Sequence, residues 1–220
     1  MSDRTTTARA FHEAGGVEDW RILAWGPHAY YRIDSFAEGA RFVTAIAEIG
    51  DDTGHFPDVD LRPGGVTVHI FTGPDGSLSE LELTLARRIS EVAGELGLEP
   101  DPSQLQVVGI AVAEDADADV RQFWAAALGY EYLGDEDVVD PHRRNPHLWF
   151  HKLNPPRGGR GRVHIDVNVP AGQAEARVAA ALAAGGRIAD DSHGPEWWTL
   201  ASPDNHGVDI AAWPEFEDGS

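Results

Sequence analysis

Two short segments of alternating apolar and polar residues, 55 positions apart, place the strongest constraint on what this chain can fold into. Residues 108–112 (VGIAV) and 163–167 (VHIDV) both have the two-residue period of a half-buried β-strand. Each leads into an amphipathic helical pattern, and extended segments follow, ending at residues 148–151 and 208–211. This part of the chain is therefore predicted to contain two β-α-β-β copies.

A proline-containing segment separates this repeat from the region upstream. Residues 97–104 (GLEPDPSQ) end a helical pattern and place two prolines before the next apolar run. A chain of 220 residues, of which 42% are hydrophobic, is long enough to bury two separate cores. We therefore predict two domains, at residues 8–98 and 105–214.

The upstream region alternates strand and helix patterns. A strand pattern at 29–33 (AYYRI) precedes Ser35, which has the capping-box spacing to Glu38 that opens a helix. A second strand pattern at 65–71 (GVTVHIF) is followed by apolar residues at helical spacing between 81 and 96. Together with the downstream repeat, this order predicts an α+β protein.

The composition excludes several classes of partner and site. Asp and Glu outnumber Lys and Arg by 37 to 17, so the net charge of −20 repels nucleic acid and anionic membrane surfaces. The apolar runs are far shorter than the ~20 residues that span a bilayer. We expect a cytoplasmic protein that acts on a small molecule. Because the chain has no cysteine, any metal must be held by histidine and carboxylate side chains.

The first predicted domain resembles the pterin-4a-carbinolamine dehydratase family. The resemblance lies in residues 54–62 (GHFPDVDLR), in the strand that follows and in residues 78–86 (LSELELTLA). It implies a helix-packed antiparallel sheet, association into a homodimer or larger homo-oligomer, and dehydration of a hydroxylated pterin. That family uses a His-His-Pro motif, a third histidine and an acidic helix residue, because histidines carry protons near neutral pH.

The matching positions of this chain form an incomplete set. His55 corresponds to the first histidine, but Phe56 and Gly73 stand where the other two belong, and Glu82 replaces the acidic residue. The resemblance therefore implies His55 and Glu82 as catalytic groups and Phe56 as a substrate contact. Glu82 also lies three residues after Ser79, which favours a capping-box role. A scaffold, dimerisation or ligand-gating role is favoured, and a retained 4a-hydroxytetrahydropterin dehydratase stays open as an alternative.

Polar, ligand-type residues converge on one face of the second predicted domain. Because neighbouring side chains of a strand point to opposite faces, the apolar residues pack under the helices and the residues between them face the other way. The residues on the face opposite the helices are His164, Asp166 and Asn168 in one strand, Trp149 and His151 in another, and Asp209 in the last.

This second domain resembles the glyoxalase-like, or vicinal-oxygen-chelate, domains. The resemblance is carried by residues 120–130, 162–167 and 202–209. It implies that paired β-α-β-β copies fold into a cup whose inner wall holds a small-molecule ligand.

Metal-dependent members of that family take ligands from the first and last strand of each copy. The corresponding positions here are Gly109, His151, His164 and Asp209, and glycine cannot ligate. The resemblance therefore implies His151, His164 and Asp209 as ligands of Fe(II), Mn(II) or Zn(II). Many glyoxalase-like domains bind ligands without metal, and that alternative stays open.

The function predicted from these features is a vicinal-oxygen-chelate enzyme: a metal-assisted lyase, isomerase or oxygenase. Asp166 or His55 is expected to carry protons, and Trp149, Asn168 and Trp198 to contact the substrate. Two alternatives stay open, a pterin dehydratase in the first domain and a non-catalytic binding or drug-sequestering protein.

Overall fold

The computed structural model describes residues 5–72, 78–114, 121–152, 163–201 and 207–213. These residues form two compact units, one reaching Leu105 and the other running from Gln106 to Ala212. Position 73 and residues 202–206, which carry part of the second resemblance, lie outside the described residues. Within the described part of the chain, no helix is long and apolar enough to cross a membrane.

The first unit is an antiparallel sheet with helices. Its strands are β1 (Thr5–Thr6), β2 (Arg21–Leu23), β3 (Gly26–Arg32), β4 (Asp58–Arg62), β5 (Gly65–His69), β6 (Leu78–Ser79) and β7 (Glu99–Pro100). Its helices are α1 (Ala8–Glu13), α2 (Phe36–Thr53) and α3 (Glu80–Glu95), with a 3-10 turn at Pro102–Gln104. The main sheet has the order β2-β3-β5-β4, with β7 beside β3, and β1 pairs with β6.

Local sequence signals explain where the two long helices begin and end. Helix α2 begins after Ser35, whose hydroxyl accepts a hydrogen bond from the backbone N–H of Glu38, and ends at Gly54, whose φ of 69° favours glycine. Helix α3 begins with a complete capping box between Ser79 and Glu82, as predicted. Both helices contribute buried apolar residues to the core of this unit, among them Phe42 on α2 and Ile89 on α3.

The second unit contains two copies of a strand–helix–three-strand arrangement. The first copy consists of β8 (Val107–Glu114), α4 (Arg121–Leu128), β9 (Glu131–Leu133), β10 (Asp137–Val139) and β11 (His147–Lys152). The second copy consists of β12 (Val163–Pro170), α5 (Ala171–Ala183), β13 (Arg187–Asp190), β14 (Trp197–Ala201) and β15 (Gly207–Trp213). The predicted α+β class and the paired repeat are confirmed. Each copy has one more strand than predicted, because strands as short as β9 and β10 show no readable periodicity.

All eight strands of this unit belong to one sheet, in the order β13-β14-β15-β12-β8-β11-β10-β9. The first strands of the two copies, β8 and β12, pair antiparallel at its centre, and β11 pairs parallel with β8. The apolar residues of β12, β14 and β15 pack against α5, around Val169, Leu200 and Ile210. The polar residues of the same strands therefore lie on the opposite face of the sheet.

Candidate functional site

Strand register places the candidate residues in rows across the centre of the second sheet. Trp149 on β11 and His164 on β12 are both paired with Ala111 on the intervening strand β8. Two residues further along β12, Asp166 is paired with Gly109. Paired residues of neighbouring strands project from the same face. The small residues of β8 thus leave room between the larger side chains of β11 and β12.

A compact ionic cluster lies on this face. The Nε2 atom of His164 lies 3.2 Å from Asp166 Oδ1 and 3.3 Å from Asp209 Oδ2. The two carboxylates, Asp166 more than Asp209, raise the pKa of His164 to about 9, against the opposing effect of burial. An imidazolium therefore bridges two carboxylates that belong to β12 and β15.

The cluster retains capacity for a further ligand. His164, Asp166 and Asp209 each offer a donor atom, and these three atoms lie within 4.8 Å of one another. Asp209 Oδ1 is buried and has no hydrogen-bond partner among the described residues, whereas Asp166 Oδ1 is the oxygen that faces His164 Nε2. Buried acceptors without partners are costly. One imidazole and two carboxylates form a donor set suited to Fe(II), Mn(II) or Zn(II), so these residues fit a divalent ion.

His151 lies beside this cluster. Its ring centre is 6.0 Å from that of His164, and it stacks on Trp149 with ring centres 4.8 Å apart. His151 Nε2 is buried and is likewise without a hydrogen-bond partner in the described part of the chain. The donor atoms grouped within 4.8 Å thus include Asp166, which was predicted as a proton carrier, and not His151, which was predicted as a ligand.

Two further predicted contacts have different surroundings. Asn168 is buried, with 7% exposure, and follows His164 and Asp166 on the same face of β12. Trp198, by contrast, packs against the apolar cluster on the α5 side of the sheet. Its neighbour Trp197 lies instead on the face of Asp209, because Thr199 is paired with Asp209 and Trp197 is two residues away. The predicted substrate contact at Trp198 thus concerns a residue on the face opposite Asp209, and it stays a prediction.

His147 also lies on this face, although the sequence pattern did not identify it as a site residue. A Cβ atom added to Gly109 would lie 2.7 Å from His147 Cε1 and 2.8 Å from its Nε2, so the imidazole crosses the position left free by the glycine. Burial lowers the pKa of His147, and the charge of Asp166 opposes that shift. The alternation through Trp149 and His151, extended back by two residues, would have identified this side chain.

In the first unit, His55 and Glu82 are close together. His55 Nε2 lies 3.8 Å from Glu82 Oε1 and is buried, with no hydrogen-bond partner among the residues described. Glu82 is 7% exposed, and its other oxygen accepts a 2.7 Å hydrogen bond from the backbone N–H of Ser79. Phe56 is 60% exposed, and its ring lies against Gly50 of α2.

Comparison with known proteins agrees with this two-part organisation. The model of the pterin 4 alpha carbinolamine dehydratase family matches residues 3–92, and that of the glyoxalase-like domain matches residues 109–211. Both predicted resemblances are therefore confirmed.

Two relatives named for the same dehydratase each match about two fifths of the chain. A Chloroflexus aurantiacus protein named for pterin-4-alpha-carbinolamine dehydratase is 34% identical over 91 residues, which cover 41% of this chain and 98% of that protein. A Roseiflexus relative with the same name is 27% identical over 92 residues, 42% of this chain and 99% of its own.

Among solved structures, a glyoxalase/bleomycin resistance protein/dioxygenase superfamily member from Vibrio splendidus matches at 14% identity and a TM-score of 0.32. This match covers 49% of this chain and 99% of that protein. The first half of this chain belongs to the pterin-4-alpha-carbinolamine dehydratase family, and the second half contains a glyoxalase-like domain.

Proposed function

We propose that the second unit is a divalent-metal enzyme that binds a small molecule through two neighbouring oxygen atoms and acts as a lyase, isomerase or oxygenase. The observation that carries this proposal is the His164–Asp166–Asp209 cluster, whose three donor atoms lie within 4.8 Å of one another and in which Asp209 Oδ1 is buried without a hydrogen-bond partner among the described residues. Its position on the face of a glyoxalase-like sheet supports the same chemistry.

The charges of the cluster suit a divalent cation. Two carboxylates balance two positive charges, and His164 donates through Nε2 once its proton has left. A bound ion would supply Lewis-acid stabilisation of negative charge on a substrate oxygen, or a platform for dioxygen. Three protein donors leave coordination positions for the two oxygens of a substrate.

His151 and Trp149 would form the wall beside that substrate. Their stacked rings, with an interplanar angle of 29°, present an aromatic surface next to His164. The buried Nε2 of His151 can donate to or accept from a substrate oxygen, and it is a candidate proton carrier. Asn168 can add a hydrogen bond from the same face.

A bidentate oxygen ligand tests this proposal. Acetohydroxamate, whose two adjacent oxygens chelate one metal ion, is titrated calorimetrically into protein loaded with Mn(II) or Zn(II). We expect binding to the loaded wild type and to a loaded His142→Ala control, which changes an exposed histidine. Neither metal-free protein nor metal-treated Asp209→Ala should bind. Equal binding with and without metal would overturn the proposal in favour of a metal-free, ligand-sequestering cup.

Oxygen uptake, measured with a substrate that the protein turns over, then separates an oxygenase from a lyase or isomerase.

A second activity, dehydration of a hydroxylated pterin, is favoured by one observation in the first unit. His55 Nε2 faces Glu82 Oε1 across 3.8 Å in a largely buried setting. An imidazole with a carboxylate neighbour can move the protons of a hydroxyl leaving group. Turnover of 4a-hydroxytetrahydropterin that is lost in His55→Ala and retained in His142→Ala would establish this activity, and equal turnover by both variants would exclude His55.

We further propose that the chain forms a homodimer and that its domains extend over residues 8–98 and 105–214. Sedimentation of the full chain tests the first statement. Limited proteolysis followed by mass analysis tests the second, because linkers between compact domains are cleaved first.

A further inference from the structure

The neighbours of Asp166 extend the metal site proposed above, and the inference that follows depends on that proposal. Asp166 is paired in register with Gly109 on β8. The next strand, β11, places His147 directly opposite the same glycine. The row across the three strands is therefore His147, Gly109, Asp166.

The space that a side chain at Gly109 would fill is taken by the imidazole of His147. Any Cβ at position 109 would lie 2.7 Å from the Cε1 atom of His147 and 2.8 Å from its Nε2. Real side-chain atoms do not approach so closely, so even an alanine at 109 would force His147 to move. The imidazole thus extends over β8 from the β11 side toward Asp166, close enough for the Asp166 charge to act on it.

A second side chain of β11 reaches Asp166 over the same strand. The indole N–H of Trp149 donates a hydrogen bond to Asp166 Oδ2. This leaves Oδ1 as the oxygen that faces His164 Nε2 at 3.2 Å. Residues that fix the orientation of a ligating carboxylate typically change metal affinity by roughly 10–100-fold when they are removed.

We propose that His147 is a positioning residue of the second-unit site: its imidazole crosses the side-chain-free position at Gly109 and, with Trp149, holds Asp166 so that one oxygen points toward His164 and Asp209. Position 109 must then remain glycine because any side chain there would displace the imidazole of His147.

A double-mutant cycle between positions 109 and 147 tests this inference. The variants are Gly109→Ala, His147→Ala, their combination, and His147→Gln as the conservative replacement. Two properties are measured: Zn(II) affinity by calorimetry, and the indole N–H resonance of Trp149 in metal-free protein, assigned with Trp149→Phe.

We expect Gly109→Ala and His147→Ala each to lower Zn(II) affinity by roughly ten-fold and to shift the Trp149 resonance. In the His147→Ala background, Gly109→Ala should have little further effect, since the imidazole it would displace is gone. His147→Gln should restore part of the affinity.

Two outcomes overturn the inference. One is a Trp149 resonance that stays unchanged in both single variants. The other is a Gly109→Ala effect that persists in full without His147. If wild type binds no Zn(II), the proposed metal function fails while the metal-free resonance still decides whether His147 orients this site.

Discussion

Trp149 on β11 donates its indole N–H to Asp166 on β12, across the strand that separates them. The bond is feasible because the residues of β8 beneath it are Gly109 and Ala111. It commits one carboxylate oxygen of Asp166 and leaves the other beside His164. A pair of small residues in the central strand thus determines which side chains meet on the face of the sheet.

Removing this hydrogen bond should weaken metal binding without unfolding the protein. Trp149→Phe retains the aromatic ring that stacks on His151 but loses the donor to Asp166. We expect Zn(II) affinity to fall by roughly ten-fold, the usual effect of losing an orienting partner. Calorimetric titration measures the change. Trp20→Phe, which removes an indole hydrogen bond to Ser90 in the first unit, is the matched control and should bind like wild type. Equal affinities for wild type and Trp149→Phe would contradict the assigned role.

The carboxylates around His164 predict a pH dependence of stability in the metal-free protein. They raise the pKa of His164 to about 9, above the value of about 6.5 in an unfolded chain. The protonated ring therefore stabilises the folded state fully below about pH 6.5, and this contribution is lost as the pH rises through about 9. Urea unfolding of wild type and His164→Gln, with chelator present, should show the largest difference in stability near pH 6 and a smaller one near pH 10. A difference independent of pH would be inconsistent with the bridging imidazolium.

Because the carboxyl group of Asp137 is partly buried, its substitution is expected to increase the stability of the protein. Burial, reinforced by Glu136, raises its pKa to about 6, against about 3.9 for an unfolded chain. The contribution of this carboxyl to stability is present below about pH 4 and is lost as the pH rises through about 6. Asp137→Asn should therefore raise the thermal unfolding temperature at about pH 8 and change it little at about pH 4. Glu131→Gln, which alters an exposed carboxylate of β9, is the control. No gain at the higher pH would show that the Asp137 carboxylate is solvated.

The capping box of α3 predicts a measurable cost in the first unit. The Ser79 hydroxyl accepts a hydrogen bond from the N–H of Leu81, and Glu82 accepts one from the N–H of Ser79. Ser79→Ala should lower the free energy of unfolding by about 1 kcal/mol, whereas Ser79→Asp should retain most of it because aspartate also caps helices. Urea denaturation compares the three proteins. A Ser79→Asp protein as unstable as Ser79→Ala would rule out capping as the reason for serine at this position.

Local pattern was sufficient to predict the faces of single strands. The alternation in β12 correctly placed His164, Asp166 and Asn168 on one face, and helix signals at Ser35 and Ser79 identified the starts of α2 and α3. These features depend on neighbours in sequence, whose side-chain directions follow from strand and helix geometry.

Contacts between strands could not be predicted in the same way. The hydrogen bond from Trp149 to Asp166 depends on β11 lying parallel to β8, in the register that aligns Ala111 with both β11 and β12. Register is decided by long-range pairing, and a slip of one residue exchanges the two faces. The pairing of Thr199 with Asp209, which places Trp197 and not Trp198 on the face of Asp209, is a relationship of this kind. His147 was missed because its role depends on a glycine in another strand.

Metal analysis of the purified protein shows whether the second unit holds a divalent ion. Wild type, His164→Ala and Asp209→Ala are purified without a histidine tag or chelator and analysed for Fe, Mn and Zn. The cluster of one imidazole and two carboxylates predicts about one equivalent of metal in wild type and little in either variant. Wild-type protein that holds no metal, even after reconstitution, would contradict the proposed metal site at His164, Asp166 and Asp209.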